Sequence, residues 1–181
     1  VLFRSIYEVK KMSKRTRIIN DPSELVPLLQ VFGSKKHKKV FDELLNLWMT
    51  KDDLDEALGT DVTTSINILK KCGLIESQWH MPEPGKNPDK EYRTSYSKVQ
   101  TNFQCSFEDM SDIIMLTFLP YEEVKDAIEE LEYLVEQGNS SMSSLTRSLN
   151  KSALYIRAVA RRSDKLSVMG QRLKLADEEM E

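Results

Sequence analysis

Residues 50–73 read TKDDLDEALGTDVTTSINILKKCG, and the spacing of their apolar side chains decides the fold. Leu54, Ala57 and Leu58 fall on one face of a short helix, with Thr50 placed to cap its start and Asp53 three residues on. Gly59 supplies the break after it. Val62, Ile66 and Leu69 then recur at helical spacing through 60–72, and Gly73 stands where a second helix would end. Downstream, LIESQWH (74–80) and EYRTSYS (91–97) read as two strands joined by the polar loop MPEPGKNPDK (81–90).

Short helix, tight turn, second helix and β-hairpin are the order of a winged helix-turn-helix, which sets its second helix in the DNA major groove with a wing beside it. The expected fold class is therefore mainly α with a small hairpin wing. Upstream, Leu28 to Phe32 is apolar, and Gly33-Ser34 interrupts it. A long amphipathic helix is expected over 34–49, with Val40, Phe41, Leu44, Leu45 and Trp48 on its core face.

Two stretches resemble the ArsR-type winged-helix regulators: GSKKHKKVFDELL (33–45), at the start of the first domain helix, and LKKCGLIE (69–76), at the end of the reading helix. The resemblance covers about residues 25 to 104. It implies a DNA-binding transcriptional regulator that pairs as a homodimer through helices flanking the winged helix. Metal sensing, common in that family, finds no support. The family's cysteine pair on the reading helix is missing, since Cys72 stands alone there, and so are its His/Asp clusters. No metal and no cofactor are expected.

Composition agrees with a soluble regulator. The 181 residues have room for one large domain or two small ones, and 40% hydrophobic content supports a core. No apolar run approaches the ~18 residues of a membrane span. Residues 1–11 lack the apolar centre of a signal peptide. Met12 has the form of a natural start, which leaves open whether 1–11 are native. Cys72 and Cys105 make no metal or redox motif, so a reduced, cytoplasmic protein is expected; Cys72 is expected to be buried, while Cys105 is a candidate redox-responsive thiol. No serine–histidine–acid set, phosphate-binding glycine loop or paired catalytic carboxylates emerge, so no enzyme is expected.

The net charge of −3 hides segregation along the chain. Residues 101–139 carry one basic and ten acidic side chains, whereas 140–175 carry eight basic and one acidic. A local basic face supplies phosphate attraction whatever the total.

Beyond the hairpin, a helix is expected from Phe107 to Pro120 and another from Tyr121 to about Gln137, ended by Gly138-Asn139. In the second, Tyr121, Val124, Ile128, Leu131 and Val135 step by three and four. That is the spacing of a dimer seam and equally of an ordinary core helix. Residues 141–149 and 153–162 read as two short helices about a turn at 150–152, and 166–175 alternate as a small hairpin. This unit is either a second, degenerate winged helix or a basic helical hairpin folded against the acidic 121–136 helix. The expected organisation is an N-terminal extension (1–24), the winged helix-turn-helix (25–104), a helical dimerisation or second winged-helix domain (105–175) and an acidic tail (176–181).

The partner expected is double-stranded DNA. On the reading helix Thr60, Thr63, Thr64, Asn67, Lys70 and Lys71 face outward, and Asn67 is the leading candidate for base readout, adenine being its natural partner. Lys35, Lys36, Lys38 and Lys39 sit at a helix start that attracts phosphate. Lys86, Lys90 and Arg93 surround the wing. Arg157, Arg161 and Arg162 lie on or beside the helix expected over 153–162, where they either reach DNA or pair with Glu129, Glu130, Glu132 and Glu136. About four phosphates neutralised per protomer would give a dimer a log–log salt slope of about −7. Asp52, Asp53, Asp55 and Glu56 on the supporting helix oppose DNA. With the acidic 101–139 stretch they favour a rival, a winged-helix protein-interaction module in a larger assembly. The operator, any effector, and the choice between repression and activation are not written in the sequence.

Overall fold

The structure, a computed structural model, describes residues 15–45, 47–80, 85 and 88–176. The chain divides into two compact units. The first comprises Val1–Ile18 and Val31–Thr101, the second Ile19–Gln30 and Asn102–Glu181. Residues 25–30, expected with the 25–104 segment, thus pack in the second unit.

In the first unit, α2 (Lys35–Leu44) is capped by Ser34, whose hydroxyl accepts from the His37 N–H. It follows α1 (Leu25–Phe32), which the division between units cuts at Val31. The helix expected over 34–49 stops at Leu44. Met49–Thr50 form strand β2, and Thr50 must be extended (φ −74°, ψ 167°) to cap α3 (Lys51–Leu58). Trp48 is therefore off the helix, where the Arg93 guanidinium lies 4.7 Å from its ring centre.

α3 opens with a reciprocal capping box: Asp53 N–H donates to Thr50 Oγ1 (3.1 Å) and Thr50 N–H to Asp53 Oδ2 (3.0 Å). It closes on Gly59 at φ 65°, a left-handed conformation that disfavours any residue with a Cβ. α4 (Thr63–Lys71) follows, then β3 (Ile75–His80) and β4 (Asp89–Thr94). The sheet order is β2-β4-β3, antiparallel, with Met49 opposite Tyr92 and Ile75 opposite Thr94. Two further strands, β1 (Thr16–Ile19) and β5 (Lys98–Thr101), pair with each other and were not anticipated. Val40, Leu44, Leu54, Val62, Ile66, Leu69 and Leu74 are among this unit's buried apolar side chains. Fully burying a side chain such as Leu54 contributes about 1.5–3 kcal/mol.

In the second unit a 3-10 turn at Pro22–Glu24, capped by the Asp21 carboxylate, leads into α1. α5 (Phe107–Phe118), α6 (Tyr121–Glu136), α7 (Met142–Leu149) and α8 (Ala153–Ala160) follow, then the antiparallel hairpin β6 (Leu166–Met169) and β7 (Arg172–Leu175). Val26, Ile113, Leu145, Ile156, Val159 and Leu173 meet in its core. Val124, Ile128, Leu131 and Val135 are buried there too, at most 7% exposed. Four of the five candidate seam residues thus cover their own unit's core and are not open to a partner; only Tyr121, half exposed, is outside it. The heptad spacing of α6 reflects core packing.

Candidate nucleic-acid interface

α4 turns Val62, Ile66 and Leu69 inward, and this leaves Thr60, Thr63, Thr64, Asn67 and Lys70 exposed, with Lys71 half-buried. Two polar contacts hold the helix in this orientation. His37 Nδ1 on α2 lies 2.8 Å from the buried Ser65 hydroxyl on α4. At its start, Asp55 on α3 accepts from the Val62 N–H (2.8 Å), so a carboxylate meets the positive end of the helix.

The α3–α4 turn is an ion-paired cluster. Lys51 Nζ is 2.5 Å from Asp55 and 3.1 Å from Asp61. Asp61 also accepts from the Thr63 hydroxyl (2.7 Å) and N–H (3.3 Å). The Thr63 hydroxyl, together with Lys51, holds the Asp61 carboxyl down at about pKa 2, and the Lys51 ammonium lowers that of Asp55. The same two aspartates raise Lys51. This accounts for part of the acidity that stood against DNA. Asp53 serves the α3 capping box and Asp55 the start of α4, leaving Asp52 and Glu56 as the acids of that helix outside these two contacts, and both are exposed.

Lys35, Lys36 and Lys39 line one shallow cleft with Leu58 and Thr60, which brings the start of α2 beside the start of the reading segment. Lys38 points elsewhere and pairs with Asp42 at 2.5 Å. On the hairpin, Arg93 is committed to Glu76 (2.7 Å) and to the Trp48 face. Lys90 Nζ stands 5.2 Å over the Trp79 ring, and Lys70 Nζ 5.3 Å over that of Tyr92. Glu91 accepts from Gln78 (2.5 Å) and faces His80 Nδ1 (3.1 Å), so the hairpin carries a carboxylate among its cations. Lys86 lies outside the described residues.

The candidate arginines of the second unit occupy internal positions. α8 packs against the 3-10 turn, α5, α6 and α7. Arg157 faces Asp21 (3.5 Å) and donates to Gln171 (3.1 Å). Arg162 donates to the carbonyls of Leu116, Thr117 and Leu119 at the end of α5. Arg161 is half-buried beside them in sequence. Of the four glutamates considered as partners for this segment, Glu132 serves it: it accepts from Ser163 (2.6 Å) and pairs with Lys165 (3.1 Å). Arg157 and Arg162 are held instead by Asp21 and by helix-end carbonyls, partners that no charge pattern along the chain reveals.

Sequence reasoning gave no structural role to His37, Ser65 and Asp61, and read Asp55 only as acidity opposing DNA. Asp61 had a signal, an acid two residues ahead of a helical threonine. Among the described residues no group of three or more His, Cys, Asp and Glu side chains is arranged to hold a metal, and no helix is long and apolar enough to cross a membrane. Cys72 is buried and Cys105 half-buried, and neither is in a disulfide.

α4 thus presents an exposed polar face, and Thr60, just before it, shares a cleft with lysines of α2. The class becomes specific on comparison with known families: residues 19–177 match the model of the ArsR transcriptional regulator family. The chain belongs to that family, and the match runs through both units. No curated protein matches it significantly.

Proposed function

We propose that this transcriptional regulator binds double-stranded DNA as a homodimer, its first unit acting as a winged helix with α4 in the major groove. One observation carries the reading: Thr60, Thr64, Asn67 and Lys70 make an open polar face continuous with the cleft of Lys35, Lys36 and Lys39. The amide and hydroxyls suit base edges, the lysines suit phosphates. Lys71 and Lys90 lie on the same helix and hairpin and are assigned to the flank of this face, whereas Thr63, Lys38 and Arg93 serve mainly to hold the scaffold.

The dimer surface we assign is α5. Phe107 (95% exposed), Ile114, Met115 (59%) and Phe118 (61%) recur along it at helical spacing and face solvent. Large apolar side chains grouped on one helix mark an interaction surface, and a helix paired with its own copy about a two-fold axis is self-complementary. Two reading helices would then meet half-sites about one DNA turn apart. Occupancy of the site would block or recruit the transcription machinery.

We read α6, α7, α8 and the β6–β7 hairpin as a second, degenerate winged helix. Its enclosed α8 and internally bonded arginines support a scaffolding role, so DNA contact rests with the first unit.

The exposed Asp52 and Glu56 favour the rival, a protein-interaction module without DNA. Selection of bound duplexes from a random DNA pool at two salt concentrations separates the two. An enriched, roughly palindromic motif retained in a salt-dependent way is expected; no binding even at low salt would overturn the DNA reading.

A further inference from the structure

Strand register sorts the β3–β4 hairpin of the first unit into two unlike faces. Side chains opposite one another on antiparallel strands share a face, and neighbours along a strand alternate. One face therefore carries Glu76 with Arg93, Gln78 with Glu91 and His80 with Asp89. Contacts of Arg93 with Glu76 and of Gln78 with Glu91 run along it. Glu76, Asp89 and Glu91, the carboxylates of these two strands, all stand on this face. The other carries Ile75 with Thr94, Ser77 with Tyr92 and Trp79 with Lys90. It is the face turned to α4, because Lys70 Nζ of that helix lies 5.3 Å from the centre of the Tyr92 ring. Tyr92 and Thr94 are buried. One step further out, about 7 Å along the strand, the same face leaves the core with Trp79. Its side chain is 63% exposed, the most of any large apolar side chain among the described residues of the first unit. Lys90 Nζ stands 5.2 Å over its ring.

An indole left in water contributes little to the fold, so its place on the surface calls for another account. Trp79 and Lys90 lie on the α4 side of the hairpin, outward from Lys70. With α4 in the major groove, strands beside it meet the sugar–phosphate ridge that borders the groove. That ridge alternates apolar deoxyribose carbons with anionic phosphates. An indole suits the first and an ammonium the second, and the carboxylates that would repel the ridge are turned to the opposite face. We propose that Trp79 and Lys90 together grip the DNA backbone beside α4, the indole lying on deoxyribose and the ammonium on the adjoining phosphate. This contact rests on the DNA-binding reading of the first unit. It adds a sequence-independent hold to the base contact assigned to Asn67.

The chain has two tryptophans, so W48F leaves Trp79 as its single indole. The probe is the duplex recovered from the random pool, end-labelled so that anisotropy reports binding separately from tryptophan emission. Adding it to the full chain carrying W48F should change Trp79 emission and protect the indole from iodide. Trp48 emission in W79F should not respond. W79A should weaken binding at least tenfold, on the recovered duplex and on a scrambled one alike, with the melting temperature kept because the side chain is exposed. It should leave the salt slope unchanged, since no charge is removed, whereas K90Q should lower a dimer's slope by about 2. W79F, which keeps an aromatic ring, should recover most of the lost affinity. No anisotropy change with any pooled duplex at low salt overturns the DNA reading, and this contact with it. Binding that leaves Trp79 emission and iodide access unaltered overturns the contact alone, as does W79A binding as tightly as the unaltered protein.

Discussion

His37 Nδ1 and the Ser65 hydroxyl stand 2.8 Å apart, and this one contact ties α2 to α4 across 28 residues of chain. Ser65 is fully buried, so the hydroxyl has no water to turn to if the imidazole is lost. The relationship also binds two parts of the candidate interface, because α2 carries the cleft lysines and α4 the outward polar face. Replacing Ser65 by Ala should cost about 1 kcal/mol, read as a lower denaturant midpoint. His37→Ala should cost more, since it leaves the buried hydroxyl unpaired.

The same pair predicts a pH dependence. Burial, assisted by the neighbouring Lys36 charge, lowers the His37 pKa below its ordinary value of 6.5. Between the folded value and 6.5 the unfolded chain binds the extra proton, so stability rises with pH through that window. The contribution is complete above pH 6.5 and is lost as the pH falls through the folded value. Melting temperatures measured from pH 7.5 to 5 should decline, and His37→Gln should flatten the part of that decline nearest 6.5. An unchanged profile in the variant would show that His37 does not carry this pH dependence.

Asp61 supplies a local prediction at lower pH. Its carboxyl is held at about 2, against an ordinary 3.8, by the Thr63 hydroxyl and then Lys51. The depressed value means the turn gains from ionised Asp61 above pH 3.8 and loses that gain as the pH falls through 2. The Thr63 amide, which donates to this carboxylate, should report a titration midpoint near 2 by NMR. In Asp61→Asn that transition should vanish.

Much of this scaffold could be read from local chemistry because local chemistry makes it. Thr50, Asp53 and Gly59 announce the ends of α3 without reference to any other segment, and Val62, Ile66 and Leu69 announce the inner face of α4. Failures came where a distant residue decides. Leu47 and Trp48 continue the helical period of α2, yet the chain must straighten at Met49–Thr50 to pair with Tyr92 and Glu91, some forty residues on. β1 and β5 are four residues each, with too little alternation to register. The stripe on α6 has the same spacing whether it meets a partner or its own core, and only the positions of α5, α7 and α8 decide between them. For the site, outward positions on α4 were legible from periodicity, while the engagement of Arg93, Arg157 and Arg162 was not.

DNA binding should separate Asn67 from the lysines. Asn67→Ala removes a candidate base contact and should relax sequence preference at one position, at a cost of about 1–3 kcal/mol on the preferred site. Lys36→Gln and Lys39→Gln should weaken all sequences alike and flatten the salt dependence. With about four phosphates per protomer, a dimer's log affinity should fall with log salt at a slope of about −7, and each lysine removed from both protomers should lower that by about 2. Fluorescence anisotropy across a salt series provides both numbers.

Oligomeric state should follow α5. Phe118→Glu or Ile114→Glu places a charge in the exposed apolar row without touching the core, since both side chains already face solvent. Light scattering after size exclusion should move from dimer to monomer, with the melting curve of the monomer retained. By contrast, a polar substitution at Ile128 should unfold the second unit outright, because that side chain is 2% exposed inside its core.

Arg162 distinguishes a scaffold from a second DNA contact. Its guanidinium closes the end of α5 by donating to three carbonyls that the helix leaves open after its last turn. Burial of this charge disfavours it, and those carbonyls compensate. Arg162→Met should therefore destabilise the protein by about 2–3 kcal/mol, since it strips the Leu116 and Leu119 carbonyls of this donor while that of Thr117 keeps Gln30. Arg162→Lys should recover only part, because one ammonium cannot spread across three acceptors as a planar fork does. Below the melting temperature, DNA affinity and its salt slope should be unchanged in both variants. A loss of affinity in folded Arg162→Met, with stability intact, would instead return α8 to the DNA interface and remove the scaffolding role assigned to it.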